Sequence, residues 1–344
     1  MLIAITRACK PIIPIRLPWR GCLSKCHSNI EVILNEDTPA EVLQELVLKE
    51  KSAMALCVYN LYNVDIHSET MPPQYEKSKS ILRAIAKNPN TAPDTFKELF
   101  ECCPVEVLNN ISFSLLILEN PCLLEELYIC YNNYEVFGMD NIPLFFEEWG
   151  ANHNDVSIRQ SAAIKIKTPS LLEKCSNDDN LNVRKCVASN ENTPCCILEK
   201  LSLDKYAKVR QATAYNPNTP KNILLKLAQD KNLTVRINVA ANISTPQDIL
   251  ELLAQNKSRD IRQQIASNPN VSVKILEFLA RDKCEVVLTQ VAFNEKTPPH
   301  ILKILATKDS YLIIQAIAAN PQTPHDVLEL VKKSDYYYVD DIPF

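Results

Sequence analysis

The chain has 344 residues, of which 46% are hydrophobic, and its formal net charge is -4; this composition supports a packed core and excludes a disordered protein. Only three glycines stand against 22 prolines. Phosphate-binding loops, nucleophile elbows and dinucleotide-binding turns need clustered glycines for close backbone approach, so the sequence argues against those enzyme classes.

The first segment, residues 1–30, is a basic and apolar leader without an acidic residue. Charged residues interrupt its apolar stretch and prolines prevent a continuous helix, so we expect it to be poorly ordered. An organellar or membrane-contact leader stays open as an alternative. Cys9, Cys22 and Cys26 form a metal-like cluster, although the paired C-x2-C motifs of zinc and iron–sulfur sites are missing.

Residues 31–150 are predicted to hold degenerate helical repeats with inserted loops. The stretch NEDTPAEVLQELVLKE and a second one around Asn88 each place apolar residues at helical spacing after a short Thr- and Pro-containing start. Residues 62–80 are predicted as a surface loop between them, and 105–128 as helical. Residues 131–150 are predicted as a connector.

Residues 151–333 contain a phrase that recurs every 26 residues, best seen as NPNTPKNILLKLAQDKNLTVRINVAAN from Asn216 to Asn242. A Thr-Pro pair opens most copies, which predicts Thr as the helix N-cap and Pro as the first helical residue. After a polar break, a second helix carries Val or Ile and, five residues later, a small alanine. Two short helices cannot bury their apolar faces alone, which predicts an all-α solenoid of stacked two-helix repeats.

An asparagine closes each second helix of the regular copies. Its side chain can satisfy several backbone groups at once, so we predict hydrogen bonds to the turn between copies. These residues are Asn190, Asn216, Asn242, Asn268, Asn294 and Asn320.

The phrase N-P-x-T-P-x-x-L-L-x-x-L-A-x-D-x5-V-R-x-x-V-A-x-N resembles the leucine-rich repeat variant family, a relative in architecture of the HEAT and armadillo solenoids. The resemblance covers residues 156–331 well and 35–100 loosely. It implies a right-handed superhelix in which α-helices alternate with shorter, often 3-10, helices. Some family members carry an N-terminal iron–sulfur cluster, which keeps such a site open for the leader cysteines. Leu288 and Ile314 replace the family's arginine, which predicts a less polar outer surface at that end.

A recurring aspartate and arginine form the sharpest polar pattern of the regular copies. The arginines either tie copies together by charge-assisted hydrogen bonds to an aspartate of the same or an adjacent copy, which we favour, or form a basic stripe for an anionic partner. The pairs are Asp178/Arg184, Asp204/Arg210, Asp230/Arg236 and the weaker Asn256/Arg262. With nearby lysines, the candidate binding residues are Arg184, Lys205, Lys208, Arg210, Lys231, Arg236 and Arg262.

The preferred function is a non-enzymatic scaffold whose curved helical face binds a protein partner. Nucleic-acid binding through the basic copies is the weaker alternative, because aromatic residues for base stacking are scarce there. An iron–sulfur or other metal-dependent redox function at the leader cysteines is the third hypothesis, and no other cofactor and no catalytic residue is predicted.

The remaining expectations concern location and the chain end. Thirteen scattered cysteines indicate a reducing, cytoplasmic compartment. No apolar run is long enough to predict a transmembrane segment. The acidic, tyrosine-rich tail 334–344 is predicted to be a frayed end or a short docking motif.

Overall fold

The computed structural model describes residues 33, 35–63, 73–131 and 134–332, and these contain helices and no strand. The all-α prediction is therefore confirmed for this part of the chain. The leader 1–30 and the tail 334–344 lie outside the described residues. The chain falls into two compact units that divide between Pro143 and Leu144.

The first unit packs its helices around a core of aromatic and aliphatic side chains. The helices are α1 (Ala40–Asn63), α2 (Pro73–Lys87), α3 (Pro93–Phe100), α4 (Pro104–Leu108), α5 (Phe113–Glu119), α6 (Leu123–Tyr131) and a 3-10 helix (Tyr134–Gly138). Here α1 packs against α2 and α3, and α2 against α4. The rings of Phe96 and Phe113 meet edge to face with centroids 5.7 Å apart, a favoured geometry for buried aromatic pairs.

Two predictions for loops are wrong. The predicted loop 62–80 ends early, because α2 begins at Pro73. Proline fits the first turn of a helix. Ser78 and Leu82 on this helix are buried, so this part of the chain is not a surface loop. Residues 64–72 of that loop lie outside the described residues. The predicted helical stretch 105–128 is confirmed, with breaks between α4, α5 and α6.

The predicted connector 131–150 is the second error. Its last part belongs to α7 (Leu144–Asn152), which opens the second unit and packs against the two helices that follow it. Phe146 is fully buried, and the small Gly150 and Ala151 on the same helix are also buried. Phe146 is therefore a core residue of a helix and not part of a connector, whereas Phe145 and Trp149 on the same helix are half-buried.

The rest of the second unit alternates between two rows of helices. Row B comprises α8 (Val156–Lys165), α10 (Leu181–Ser189), α12 (Ala207–Tyr215), α14 (Leu233–Ala241), α16 (Arg259–Ser267), α18 (Glu285–Phe293) and α20 (Tyr311–Ala319). Row A comprises α9 (Pro169–Ser176), α11 (Cys195–Leu201), α13 (Lys221–Leu227), α15 (Gln247–Ala254), α17 (Val273–Leu279), α19 (Pro299–Leu305) and α21 (His325–Lys332). Between residues 156 and 332 every helix of both rows is an α-helix, so the 3-10 helices implied by the family resemblance are not found there.

Each row B helix from α10 to α18 packs against the row B helices before and after it. The close approach depends on small residues, since Ala188, Ala214 and Ala240 have no exposed surface. Row A supplies larger side chains such as Leu224 and Leu250, which are also fully buried. Burying one such leucine contributes about 1.5–3 kcal/mol, so the stacked rows form the core of the unit.

A buried asparagine ties each row B helix after α8 to the preceding one. Nδ2 of Asn242 donates to the backbone carbonyls of Ala214 and Asn216, each at 2.8 Å, and its Oδ1 accepts the N–H of Ser244 at 2.8 Å. The predicted role is confirmed, because asparagine supplies the two donors and the acceptor that this turn needs. Equivalent bonds are made by Asn190, Asn216, Asn268, Asn294 and Asn320, and in the first unit by Asn88 and by Asn110, which the sequence analysis did not predict.

The threonines of the later copies do not cap the row A helices, which corrects the N-cap prediction for them; Thr168 stands at the N-cap position of α9 but makes no capping bond. The N-cap residue of α11, α13, α15 and α19 is the proline that follows the threonine. The hydroxyl of Thr219 instead donates to the carbonyl of Thr213 at 2.6 Å. That carbonyl lies in the last turn of α12, where carbonyls lack helical partners. The same bond is made by Thr193, Thr245, Thr297 and Thr323.

Candidate functional site

Four arginines of row B each hold an aspartate in the loop before the next row B helix. Nε and Nη2 of Arg184 lie 2.7 Å from Oδ2 and 3.3 Å from Oδ1 of Asp204. For Arg210 and Asp230 the same distances are 2.6 and 3.0 Å. Two parallel bonds of this kind match the planar guanidinium to the planar carboxylate. We call the four pairs the arginine ladder; the other two are Arg159–Asp178 and Arg262–Asp282.

Each ladder residue also holds the backbone of a loop. Nη1 of Arg210 donates to the carbonyl of Asp204 at 2.7 Å, in the loop that precedes its own helix. Oδ1 of Asp230 accepts the N–H of Asn232 at 2.8 Å, at the start of α14. The interpretation that these arginines tie neighbouring copies together is therefore confirmed for the four ladder pairs.

The ladder aspartates stay ionised because their ion pairs outweigh burial. Burial raises the pKa of Asp230, but hydrogen bonds from Arg210 and from the Asn232 N–H, together with the charge of Arg210, lower it further than burial raises it. The same balance lowers the pKa of Asp178, Asp204 and Asp282. In return, the hydrogen bond to Asp230 raises the pKa of Arg210. The pairs are thus fixed cross-links at neutral pH.

The ladder arginines are largely covered by the chain itself. Arg184 and Arg210 are 8% and 7% exposed, and their donors are directed at the loops on either side. Direct contact between a partner and these two arginines stays a prediction. The predicted pairs Asp178/Arg184, Asp204/Arg210 and Asn256/Arg262 meet only through the backbone carbonyl of the first residue. The carboxylate that each of these arginines holds belongs to the next copy, as Asp282 does for Arg262.

Sequence reasoning also missed Arg159, the first arginine of the ladder. It lies in α8, where the copy is one residue shorter than the period, and it pairs with Asp178 at 2.7 Å. The missed signal is the position of the aspartate: Asp204 follows Arg184 by 20 residues, in the next copy. A search for carboxylates downstream of each arginine finds all four pairs.

Arg236 stands at the ladder position of α14 and differs from its neighbours. Its Nη1 donates to the carbonyl of Asp230 at 2.5 Å, which reproduces the bond to its own loop. The next loop presents Asn256 in place of an aspartate. Across the described ranges, no carboxylate forms an ion pair with Arg236.

The predicted lysines are exposed and lie in two places. Lys205 and Lys231 lie in the loops before α12 and α14, and the Nζ of Lys205 is 5.1 Å from the centre of the Tyr206 ring. Lys208 lies on the exposed side of α12. The structure therefore separates the loop lysines from Lys208.

Lys208 contributes to a groove on α10, α12 and α14 with a volume of about 370 Å³. Lys185 adds a second positive charge, and the Tyr215 ring is 61% exposed. Two lysines outnumber one glutamate, so the groove is positive. Its lining includes Lys185, Glu191, Lys208, Gln211, Tyr215 and Asn238.

The last two row B helices carry exposed apolar side chains, but not at the positions on which the prediction of a less polar surface rested. The exposed side chains are those of Val286 and Phe293 on α18 and of Tyr311 and Leu312 on α20. Leu288 and Ile314, which replace the arginine of earlier copies, are buried in the core. The ladder ends here because its arginine positions have become core positions.

The predicted iron–sulfur or metal site at Cys9, Cys22 and Cys26 lies outside the described residues. Among the residues that are described, no group of three or more His, Cys, Asp or Glu side chains could hold a metal ion. The metal site therefore stays a prediction about the leader.

The vicinal cysteines Cys102 and Cys103 follow α3 and differ in environment. A hydrogen bond with Cys103 lowers the pKa of the Cys102 thiol; burial opposes this effect and Lys51 adds to it. The same hydrogen bond and burial raise the pKa of Cys103. Cys102 is thus the more readily ionised thiol of the pair.

Neither a protein-family model nor a curated protein matches the chain. The likeness to the leucine-rich repeat variant family therefore rests on the recurring phrase. None of the helices in the described ranges is long and apolar enough to cross a membrane.

Proposed function

We propose that the chain is a non-enzymatic repeat scaffold that binds an acidic, extended segment of a protein partner through the exposed side of row B. In this proposal the second unit is a right-handed α-solenoid of 26-residue repeats, related to the leucine-rich repeat variant family and located in the cytoplasm. The recurring phrase and the alternating rows of helices support this architecture. Stacked repeats of this kind offer long surfaces for partners.

The pattern of repeated and variable positions supports a binding role. The third residue of each row B helix from α12 to α20 is a buried valine or isoleucine: Val209, Val235, Ile261, Val287 and Ile313. The residue before it changes in chemistry from copy to copy: Lys208, Thr234, Asp260, Val286 and Leu312. Packing fixes the first set, whereas the second set is free to match a partner.

The observation that carries the proposal is the positive groove on α10, α12 and α14. Lys185 and Lys208 favour acidic side chains, and Tyr215 offers a large contact area at a small cost in conformational entropy. The side-chain amides of Gln211 and Asn238 each donate one bond within the chain, at 3.4 and 3.0 Å. Their second N–H and their carbonyl oxygen can hydrogen-bond the backbone of an extended segment. An acidic peptide is the ligand class that uses all three features.

The test is selection of peptides on the full-length protein from a displayed library of random sequences. We expect the selected peptides to be acidic. We also expect the double variant Lys185→Glu, Lys208→Glu to bind them at least tenfold more weakly, as measured by fluorescence anisotropy. The matched control reverses two exposed lysines outside the groove, Lys174→Glu and Lys296→Glu. Equal losses in both double variants would show that only net charge matters and would contradict the proposal.

Nucleic-acid binding is the outcome that would replace this proposal. A single-stranded RNA oligonucleotide that binds more tightly than the selected peptides, with affinity falling steeply as salt rises, would assign the groove to phosphates. The iron–sulfur alternative has a separate test. Changing Cys9, Cys22 and Cys26 together to serine in the full-length protein must abolish bound iron if the leader holds a cluster.

A further inference from the structure

Asn256 makes the backbone hydrogen bond of a ladder aspartate but does not form its ion pair with an arginine. Oδ1 of Asn256 accepts the N–H of Ser258 at 2.9 Å, as Oδ1 of Asp230 accepts the N–H of Asn232 at 2.8 Å. In Asp230 the second oxygen, Oδ2, receives the Nε–H of an arginine. An amide has one oxygen, so the corresponding atom of Asn256 is the donor Nδ2.

Arg236 consequently has donors that its own chain leaves unused. Its Nη1 is bonded to the Asp230 carbonyl, while Nε and Nη2 donate to no acceptor within the described residues. Arg236 and Asn256 are each half-buried, so these donors are reachable from solvent. By the register of the copies, these two atoms and the Asn256 Nδ2 correspond to the atoms that meet in the Arg210–Asp230 pair, and in the part of the chain that the structure describes none of the three has an acceptor.

The charge around this position is also uncompensated. An exposed lysine follows each aspartate, or Asn256, in four consecutive loops: Lys205, Lys231, Lys257 and Lys283. In the other three loops an aspartate of the ladder stands directly before the lysine, whereas Asn256 stands before Lys257. The positive charges of Arg236 and Lys257 therefore meet no ladder carboxylate, which favours the approach of an anion. The acidic residue next in sequence, Asp260, is paired with Arg259 at 3.6 Å.

We propose that Arg236 and Asn256 bind a carboxylate supplied from outside the chain, in place of the aspartate that completes the neighbouring ladder pairs. In the four occupied pairs the equivalent guanidinium edge binds the two oxygens of a planar carboxylate. At Arg236 the side chain that takes the place of this aspartate is the amide of Asn256, so a carboxylate from outside would meet Nε and Nη2 from the solvent side. The biological source of this carboxylate is an Asp or Glu side chain or the terminal carboxylate of the partner segment. This identification of the source rests on the proposed function. The carboxylate site itself does not.

The test follows the Nε–H resonances of the arginines by NMR in the full-length protein. Loss of one resonance in Arg236→Lys assigns Arg236. We expect sodium acetate at pH 7 to shift this resonance to saturation in the millimolar range, with no change for Arg210, relative to sodium chloride at equal ionic strength. A shift with inorganic phosphate but not with acetate, or no shift with either, overturns the carboxylate assignment.

Asn256→Asp supplies the missing carboxylate from within the chain. We expect this variant to lose the acetate response and to unfold at higher temperature than the wild type, because the ion pair is now internal. The control is Asn180→Asp, which makes the same charge change in another loop and keeps the acetate response. An acetate response that survives in Asn256→Asp overturns the site.

The partner's contribution is tested with an acidic peptide selected on the groove. If a carboxylate of this peptide occupies the site at Arg236, Asn256→Asp weakens binding of the peptide at least tenfold. The same variant does not weaken binding of a peptide in which that acidic residue is replaced by its amide. Unchanged peptide affinity in Asn256→Asp overturns the assignment to the partner. If no peptide binds in a way that depends on Lys185 and Lys208, the proposed function fails, whereas the acetate result still decides the site.

Discussion

Arg210 and Asp230 are joined by two parallel hydrogen bonds of 2.6 and 3.0 Å, although they belong to successive row B layers. Their side chains are only 8% and 10% exposed, so water screens the pair weakly. The guanidinium also holds the carbonyl of Asp204 at 2.7 Å. The pair therefore cross-links two loops and the helix between them.

We expect Arg210→Met to lower the free energy of unfolding by roughly 3 kcal/mol, because it leaves the Asp230 carboxylate covered and without its cation. Urea denaturation followed by circular dichroism measures the change. The control is Lys221→Met, which breaks the ion pair with Asp248 whose two side chains are each 59% exposed. That pair is screened by water, so the free energy of unfolding falls much less in the control variant. Equal losses would contradict a structural role for the ladder.

The depressed pKa values of the ladder aspartates predict a loss of stability in acid. Above the ordinary aspartate pKa of about 3.9 these carboxylates are ionised in both the folded and the unfolded chain, and their contribution is complete. As the pH falls below that value the unfolded chain takes up protons first, so stability declines until the folded carboxylates are protonated as well. Urea midpoints between acidic and neutral pH should show this decline, and Asp282→Asn, which removes one such group, should make it shallower. An unchanged slope in that variant argues against the assignment.

The asparagine column predicts a large effect from a small chemical change. Asn242→Asp replaces the two donated bonds at 2.8 Å with a carboxylate facing two carbonyl oxygens. At neutral pH we expect this buried change to lower the unfolding free energy by at least about 3 kcal/mol, since a buried charge would lack partners. Asn218→Asp, at an exposed position with one such bond, is the matched control, and a similar loss there would contradict the interpretation.

Thr95 on α3 predicts a stabilising substitution. It is fully buried, and within the described residues its hydroxyl is the one buried side-chain group without a hydrogen-bond partner. Thr95→Val removes that polar group at nearly constant volume, so we expect a gain of about 1 kcal/mol. Thr213 is equally buried, but its hydroxyl donates to the Val209 carbonyl at 3.1 Å. Thr213→Val should therefore destabilise, and the same sign for both variants would count against this reasoning.

The sequence was sufficient to predict helices, the buried alanines and the asparagine bonds, because these follow from local spacing and side-chain chemistry. It did not predict which of two nearby hydrogen-bond partners a side chain selects. Thr219 turns back to the helix before it instead of capping the helix after it, and Arg262 reaches forward to Asp282. Both choices depend on which backbone or carboxyl oxygen is left without a partner after the rows have packed.

The candidate groove was predicted only in part for the same reason. Lys208 was identified from its charge, but Lys185 and Asn238 join it only when α10, α12 and α14 lie side by side. The open position at Arg236 required a comparison of occupied pairs, which no spacing rule provides. Helical periodicity determines which side of a helix is buried, whereas the chemistry of a surface depends on which helices become neighbours.

The reach of the asparagines has an evolutionary consequence. The side-chain N–H groups of Asn242 donate to carbonyls at the end of the row B helix immediately before it, and those of Asn268 do the same one helix later. A gene that gained or lost one whole copy by unequal recombination would therefore encode a chain in which every remaining asparagine still finds its carbonyls. The length of the array can therefore change in such steps while the bonds between neighbouring copies are kept. The copy that begins with α8 is one residue shorter than the period, and there Asn190 and Arg159 still find their partners.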